Sequence, residues 1–270
     1  MAEPNWAQVE IDESLICSYH LPTCTLVRTL VSHPLAPEQK MPQIFSKPFR
    51  KNLKRLLYER YRLVILRGQV VLDMEKLSNL TTRDSIRVCS LHAVAEEIYS
   101  KPVIGNVAEL GVYQGDFAKD IHAAFPDRSL YLFDTFQGFS QQDQEVDRGG
   151  GFSSAAEDFS DTSVKLVLEK MAHPEKVIIR AGYFPESIQE TDLKETFAFV
   201  SIDADLYKPI YDGLAFFFPR LSPGGFIFIH DYNNKDYPGV KAALRKYCEE
   251  AKINCFPLVD PCGTAVITKG

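Results

Sequence analysis

Acidic side chains follow four apolar runs of this 270-residue sequence. The acids at these positions are Glu109, Asp134, the pair Asp203 and Asp205, and Asp231, which His230 precedes. If the runs are parallel strands, all of these side chains face one crevice beyond the carboxyl ends of the sheet. Carboxylates in one cleft repel each other and raise each other's pKa. Several of them in one place are therefore unfavourable unless a function requires them. A divalent cation is one reason, and removal of a proton from a hydroxyl is another.

The first of these runs leads into a glycine turn. Residues 103–110 are apolar, Gly111 and Gly115 follow, and Asp116-Phe117 opens a pattern with helical spacing. Strand, glycine turn and helix begin a βαβ unit that can bring a ligand close to the backbone. The spacing Glu-x-Gly-x-x-x-Gly differs from the dinucleotide fingerprint and favours S-adenosylmethionine, which has no pyrophosphate. A tight connection without any ligand is the alternative.

The second acid supports a nucleoside ligand. Asp134 ends the apolar run 129–133, roughly 20 residues after the glycine turn, where an acid can accept hydrogen bonds from a ribose diol. Capping of the following loop is the other reading of this residue.

The rest of the chain alternates strand and helix patterns. We expect further strands at 176–180, 197–202, 226–229 and 263–268, and helices at 81–99, 164–171, 214–221 and 238–251. This alternation predicts an α/β fold with a doubly wound, mainly parallel sheet. The polar stretch 141–161, with three glycines at 149–151, is expected to be a lid loop over the site.

Composition limits the function classes. The net charge of −6 and pI of about 5.6 do not suggest a nucleic-acid binder. No apolar run approaches the ~20 residues of a membrane span, and we see no signal peptide. Six cysteines without a secretion signal are read as reduced thiols, so we expect a cytoplasmic protein.

We divide the chain into an N-terminal extension, residues 1–78, and a catalytic domain, residues 79–270. The extension is expected to be mostly helical, with a basic helix at 47–67 whose simplest role is a solvated face. A metal set drawn from the extension matches no trusted zinc spacing. That set would be Cys17, His20, Cys24 and His33.

Six motifs in order resemble the macrocin O-methyltransferase family. They are Glu109-x-Gly-Val-Tyr-x-Gly, Phe133-Asp-Thr-Phe-Gln-Gly-Phe, Asp161-Thr-Ser, Gly182-Tyr-Phe-Pro-Glu, Ser201-Ile-Asp-Ala-Asp-Leu-Tyr and Gly-Gly-Phe-Ile-Phe-Ile-His230-Asp-Tyr. The resemblance runs from about residue 81 to the C-terminus. It implies a seven-stranded, Rossmann-like class I methyltransferase fold, S-adenosylmethionine as cofactor and a homodimer. Known members methylate sugar hydroxyls of antibiotics, so it also implies a glycan or other small-molecule acceptor in natural product biosynthesis.

The resemblance also implies roles by position. Residues of the cofactor pocket would be Thr81, Thr82, Glu109, Gly111, Tyr113, Gly115, Asp134, Thr135, Phe136, Asp161, Ser163, Gly182 and Asp203. Asp203 would also bind Mg²⁺, Asp205 would be the general base, and His230 with Asp231 would complete the metal site. His230 stands where better-known members have an acid. Because Mg²⁺ prefers oxygen ligands, the identity of the divalent cation stays open, and His230 is an alternative base.

The expected reaction is in-line transfer of a methyl group to an alcohol oxygen. A bound metal lowers the pKa of the hydroxyl, a carboxylate takes its proton, and the lid excludes water. Two alternatives remain: methylation of a phenol or catechol, and a non-catalytic protein that binds S-adenosylmethionine. A nicotinamide oxidoreductase is disfavoured, because the chain lacks the pyrophosphate-binding turn.

Overall fold

The computed structural model describes residues 85–260 and 262–270. Thr81, Thr82 and the predicted N-terminal extension, with its basic helix and cysteines, lie outside the described residues. The helices are α1 (Ser85–Ser100), α2 (Asp116–Ala124), α3 (Gln141–Gly150), α4 (Val164–Glu169), α5 (Tyr207–Arg220) and α6 (Pro238–Ala251). The strands are β1 (Asn106–Leu110), β2 (Leu130–Asp134), β3 (Val177–Ala181), β4 (Phe197–Ile202), β5 (Leu221–Ile229), β6 (Phe256–Pro257) and β7 (Ala265–Thr268).

The strands form one seven-stranded sheet in the order β3-β2-β1-β4-β5-β7-β6. The first five strands of this order pair in parallel, while β7 runs antiparallel to both β5 and β6. The predicted α/β fold with a mainly parallel sheet of seven strands is therefore confirmed. Two-residue β6 was not predicted, since so short a run leaves no alternation to detect.

The sheet is covered on both faces, as a parallel sheet requires. All six residues of β4 are buried at the centre of the sheet. Side chains of α5 and α6 pack in one hydrophobic cluster, and those of α1, α2 and α4 pack in another. The strand ends that carry the acidic side chains are thereby held on one rigid edge.

Helix α5 begins seven residues before its predicted start at Leu214. Gly213 lies inside the helix. A Cβ there would lie 2.7 Å from a side-chain carbon of Leu110. Glycine therefore allows the close approach of α5 to β1, and packing outweighs its low helix propensity.

The expectation of a lid loop over 141–161 is wrong for its first half, which forms helix α3. Two acids of this polar segment, Asp143 and Asp147, are buried. The Asp147 carboxylate accepts a hydrogen bond of 2.8 Å from the Tyr207 amide at the start of α5, and Phe152 stacks on the Tyr207 ring at 4.8 Å. These long-range anchors order a segment that its composition alone suggests to be a loop.

Within the described part of the chain, none of the helices is both long and apolar enough to cross a membrane.

Candidate active site

A cavity of about 390 Å³ opens at the carboxyl ends of β1, β2, β4 and β5. The structure thus brings the acidic ends of four strands to one place. Predicted site residues that line the cavity are Glu109, Gly111, Tyr113, Asp134, Thr135, Gly182, Asp203, Asp205, His230 and Asp231.

Four other predicted cofactor residues are not part of the cavity lining. Gly115 precedes α2 with φ 79°, and a Cβ there would lie 2.9 Å from Val167. Ser163 caps α4 by accepting a hydrogen bond from the Leu166 amide, and Phe136 packs against the core. The Asp161 carboxylate accepts a 2.6 Å hydrogen bond from the Tyr113 hydroxyl, so it supports a residue that does line the cavity.

The turn after β1 is held against β4 by a close backbone approach. Gly111 has φ +84°, and a Cβ there would lie 2.0 Å from the carbonyl oxygen of Asp203. The Asp203 amide donates to the Leu110 carbonyl at 2.8 Å, next to this contact. Only glycine lets the cofactor turn and the Asp203 strand end meet here.

Asp134 organises the two loops that border it. Its carboxylate accepts hydrogen bonds from the amides of Val112 at 2.6 Å, Tyr113 at 3.0 Å and Phe136 at 2.6 Å. Tyr113 and Phe136 have positive φ angles of 48° and 53°. The carboxylate therefore stabilises strained turns while facing the cavity, which is the placement expected for a ribose-binding acid.

Glu109 is 1% exposed, and its Oε2 has no hydrogen-bond partner among the residues described. Burial raises the pKa of Glu109 well above its usual value, the nearby charge of Arg87 lowers it, and Asp203 raises it further. A buried carboxyl oxygen without a partner is costly unless a ligand donates to it. S-adenosylmethionine carries ammonium and amine donors, so this orphaned acceptor fits that cofactor.

Arg87 is a member of the site that the sequence analysis missed. It is 1% exposed on α1, and it donates hydrogen bonds to Asp203 at 2.8 Å and to the Ser201 hydroxyl at 2.9 Å. Its guanidinium lies 3.6 Å from the centroid of the Phe117 ring. The sequence contained a signal for this role. Arg87 stands among the positions 88, 91, 95 and 98 of α1, which are buried, and a buried cation requires a partner.

His230 bridges two of the acids. Its Nδ1 lies 3.0 Å from an oxygen of Asp203 and 2.9 Å from an oxygen of Asp231. Burial acts to lower the pKa of His230, but the charge of Asp203 outweighs it and holds the pKa above its ordinary value. Burial likewise opposes ionisation of Asp203, whereas the charges of His230 and Arg87 keep the pKa of that carboxyl below its usual range.

The remaining acids complete a carboxylate trio, which we define as Asp203, Asp205 and Asp231. One ligand oxygen from each lies within 4.8 Å of the others. Asp205 and Asp231 both have positive φ angles, 58° and 57°, and both line the cavity. Burial, followed by the charges of Asp203 and Asp231, raises the pKa of Asp205 well above its usual value. Three crowded oxygen donors are a fitting environment for a hard divalent cation.

The chain matches the macrocin-O-methyltransferase family over residues 35–266. It belongs to the macrocin-O-methyltransferase family. The resemblance drawn from the sequence motifs is confirmed. The family consists of S-adenosylmethionine-dependent O-methyltransferases, so the expected enzyme class and organic cofactor are confirmed at the level of the family.

Two curated relatives of this macrocin-type chain are O-methyltransferases. Mycinamicin III 3''-O-methyltransferase from Micromonospora griseorubida is 29% identical over 174 residues, which are 60% of this chain and 67% of the relative. The 8-demethyl-8-(2,3-dimethoxy-alpha-L-rhamnosyl)-tetracenomycin-C 4'-O-methyltransferase from Streptomyces olivaceus is 27% identical over 162 residues, 54% of this chain and 60% of the relative. The chain thus spans about three fifths to two thirds of these relatives.

A solved structure agrees in fold. The calicheamicin methyltransferase CalS11 aligns with a TM-score of 0.58 and 19% identity, over 88% of this chain and 100% of its own. At that identity the likeness supports the methyltransferase fold alone.

One aromatic side chain from the second half of the polar segment, Phe159, lines the cavity of this macrocin-type domain. Its ring packs edge-on against Tyr113 at 5.2 Å and against Phe139 at 5.0 Å, and these two residues line the cavity as well. Phe159 and the Asp161 contact with Tyr113 attach the segment 151–161 to the β1 turn. A lid stays a prediction for this segment.

Proposed function

We propose that this protein transfers the methyl group of S-adenosylmethionine to a sugar hydroxyl of a glycosylated small molecule. The observation that carries the proposal is the carboxylate trio at the end of β4 and β5, in the same cavity as Glu109 and Asp134. The tetracenomycin relative is named for methylation of a rhamnosyl compound, which favours a sugar as acceptor.

Glu109 and Asp134 hold the cofactor in this proposal. The unpartnered Oε2 of Glu109 accepts a hydrogen bond from a cofactor N–H, and Asp134 accepts from the ribose hydroxyls. S-adenosylmethionine supplies the methyl group when bound. Gly111 lets the turn after β1 lie next to Asp203, so that the proposed cofactor residues lie beside the carboxylate trio.

The carboxylate trio would hold a divalent cation, and its all-oxygen donor set favours Mg²⁺. When bound, the cation would supply positive charge that favours the ionised form of the acceptor hydroxyl. His230 is expected from the sequence to be a metal ligand or an alternative base. Because its Nδ1 lies between Asp203 and Asp231, its role toward Mg²⁺ in this proposal is to orient these two carboxylates.

Asp205 is our candidate for the general base. The resemblance to the family gives this role to the second acid of the motif Asp203-Ala-Asp205, and without a cation, burial and the charges of Asp203 and Asp231 raise the pKa of Asp205 above its usual value. A base at this position takes the acceptor's hydroxyl proton as the oxygen becomes a nucleophile. Phe159 and the rest of the segment 151–161 exclude water from the reacting groups.

The test is Asp205→Asn, assayed with a panel of glycosides and phenols at saturating S-adenosylmethionine and Mg²⁺. We expect turnover to fall about 10²–10⁴-fold, while calorimetric titration with S-adenosylhomocysteine gives a dissociation constant close to that of the unaltered protein. Asp134→Ala is the matched control. In this variant the affinity for S-adenosylhomocysteine should fall more than the turnover at saturating cofactor.

Three results would contradict parts of this proposal. Parallel loss of cofactor affinity in Asp205→Asn would remove Asp205 from the role of base. Methylation of phenols alone would replace the sugar acceptor by a phenolic one. No binding of S-adenosylhomocysteine would leave this chain without the activity of its family.

Two expectations from the resemblance stay predictions: a homodimer and a cytoplasmic location. Sedimentation of the full chain would measure the first, and fractionation of the source cells would measure the second.

A further inference from the structure

Cys262 lies beside the carboxylate trio, where the family motifs gave no reason to expect a thiol. It lines the cavity, and its Sγ forms a second group of potential ligands with His230 and Asp231. One ligand atom from each of these three side chains lies within 4.8 Å of the others. We call this group the His–Asp–Cys trio.

Local hydrogen bonds and one long-range backbone approach fix the loop that carries Cys262. The Asp260 carboxylate accepts hydrogen bonds from the amides of Gly263 and Thr264, the latter at 2.8 Å. Gly263 has φ +78°, and a Cβ there would lie 2.6 Å from Cβ of Asn233, in the turn that follows β5. Glycine thus lets the loop pack directly against the segment that carries His230 and Asp231. This packing places Cys262 at the cavity.

The imidazole in this group is oriented by carboxylates. His230 is 9% exposed, and its Nδ1 is within 3.0 Å of an Asp203 oxygen and 2.9 Å of an Asp231 oxygen. A carboxylate hydrogen-bonded to a ring nitrogen is a common way to orient a histidine for metal binding and to make it more basic. The other carboxyl oxygen of Asp231 accepts from the Asn234 side chain at 2.8 Å, which orients that ligand as well.

These donors suit a different metal from the carboxylate trio. One nitrogen, one thiolate sulfur and one carboxylate oxygen are a ligand set for Zn²⁺, which three protein ligands hold with a fourth position open. At zinc bond lengths of about 2.0–2.3 Å, tetrahedral ligand atoms lie roughly 3.5 Å apart. The ligand atoms of the His–Asp–Cys trio lie within 4.8 Å of one another, so they need to approach by about 1.3 Å at most. Three hard oxygens, in contrast, favour Mg²⁺.

We propose that His230, Asp231 and Cys262 form a zinc site that shares Asp231 with the carboxylate trio. Binding forms a bond from sulfur to zinc, and the thiol proton is released to solvent. Because Asp231 cannot serve both metals in full, occupation by zinc competes with occupation of the trio by Mg²⁺. This inference does not rest on the proposed methyl transfer, because the site can be observed without cofactor or acceptor.

The test uses Co²⁺ as a spectroscopic substitute for zinc in the full-length protein. We expect a thiolate-to-cobalt charge-transfer band in the near ultraviolet, loss of this band on adding one equivalent of Zn²⁺, and loss of the band in Cys262→Ser. Equilibrium dialysis of Cys262→Ser should show zinc affinity reduced by at least about 10-fold. The thiolate-to-cobalt band should also weaken or disappear in His230→Ala.

Two controls separate this site from the other thiols. Cys89→Ser removes a half-buried thiol of α1, and the double variant Cys17→Ser/Cys24→Ser removes the thiols of the N-terminal segment. Both should keep the band. A band that survives in Cys262→Ser, or one that disappears only in the double variant, would overturn the proposal. Cobalt bound without any thiolate band would overturn it too, since the metal would then sit on oxygen ligands. Circular dichroism of each variant confirms that it is folded.

Discussion

The guanidinium of Arg87 donates a hydrogen bond of 2.8 Å to Asp203, across 116 positions of the chain. This contact ties α1 to the end of β4, at the centre of the site. Since Arg87 also bonds Ser201 and faces the Phe117 ring, it fixes the orientation of Asp203, a member of the carboxylate trio. Helix α1 thus contributes to the candidate active site and does more than cover the sheet.

Replacing Arg87 by methionine should therefore destabilise the protein. The variant leaves Asp203 without one of the two cationic groups that contact it, and removing one partner of a largely buried pair costs about 3 kcal/mol. The measurement is the free energy of unfolding in urea. Lys101→Met is the control, because its ion pair with Glu97 has side chains that are 64% and 54% exposed, and no measurable change is expected. Equal stability of Arg87→Met and the unaltered chain would contradict a supporting role for Arg87.

Substitution of Gly111 by alanine should damage both stability and cofactor binding. The added Cβ would lie 2.0 Å from the Asp203 carbonyl oxygen, and neither backbone can yield without moving a strand end. We expect a loss of about 1–3 kcal/mol in stability and much weaker binding of S-adenosylhomocysteine. Gly149→Ala, where nothing lies within 4 Å of the new Cβ, should be neutral or slightly stabilising in α3. A normal Gly111→Ala protein would show that this approach is not needed.

The variant Asp134→Asn should weaken cofactor binding more than it slows turnover at saturation. An asparagine places an NH₂ group against backbone amides that now donate to a carboxylate oxygen, and it loses the charge that favours the ribose hydroxyls. We expect the dissociation constant of S-adenosylhomocysteine to rise about 10–100-fold, or roughly 1.4–2.8 kcal/mol. Calorimetry and saturation kinetics measure the two effects. Asp127→Asn, an acid outside the cavity, should leave both unchanged, and an unaltered affinity in Asp134→Asn would refute the ribose role.

The buried Asp143 carboxyl should make stability depend on pH. Burial raises the pKa of Asp143 to about 6, although the Tyr183 hydroxyl and Lys208 favour ionisation and Asp212 and Asp147 oppose it. The folded state thus holds a proton that the unfolded state has lost above pH ~3.9. Stability contributed by the protonated form is therefore lost as pH rises from about 4 to about 6.

Asp143→Asn removes this penalty while keeping an acceptor for the Tyr183 hydroxyl, which donates at 2.9 Å. The variant should be more stable than the unaltered protein by about 2–3 kcal/mol at pH 7.5, and this gain should shrink toward zero near pH 4. Urea unfolding across that range measures it. Glu145→Gln, an exposed acid on the same helix, should show no such trend, and a gain that is constant with pH would exclude Asp143 as its source.

Much of the site could be inferred from local sequence. The run 197–202, apolar except for Ser201, predicted a strand with the bounds of β4, because a strand covered on both faces needs no polar alternation. Gly111 marked the cofactor turn because few other residues adopt its φ angle of +84°. The positions of Glu109, Asp134, Asp203 and Asp205 at the cavity follow from parallel strands ending on one edge.

The sequence by itself determined the order of the strands and helices other than α3 and β6, the family and the set of acids at the strand ends, because these depend on short-range periodicity and motif spacing. Only the tertiary structure decided which distant groups meet these acids. It placed Arg87 against Asp203, brought Cys262 next to His230, and made a helix of a polar segment through the burial of Asp143 and Asp147. Such contacts depend on how elements pack across the sheet, and no local pattern of residue types encodes that geometry.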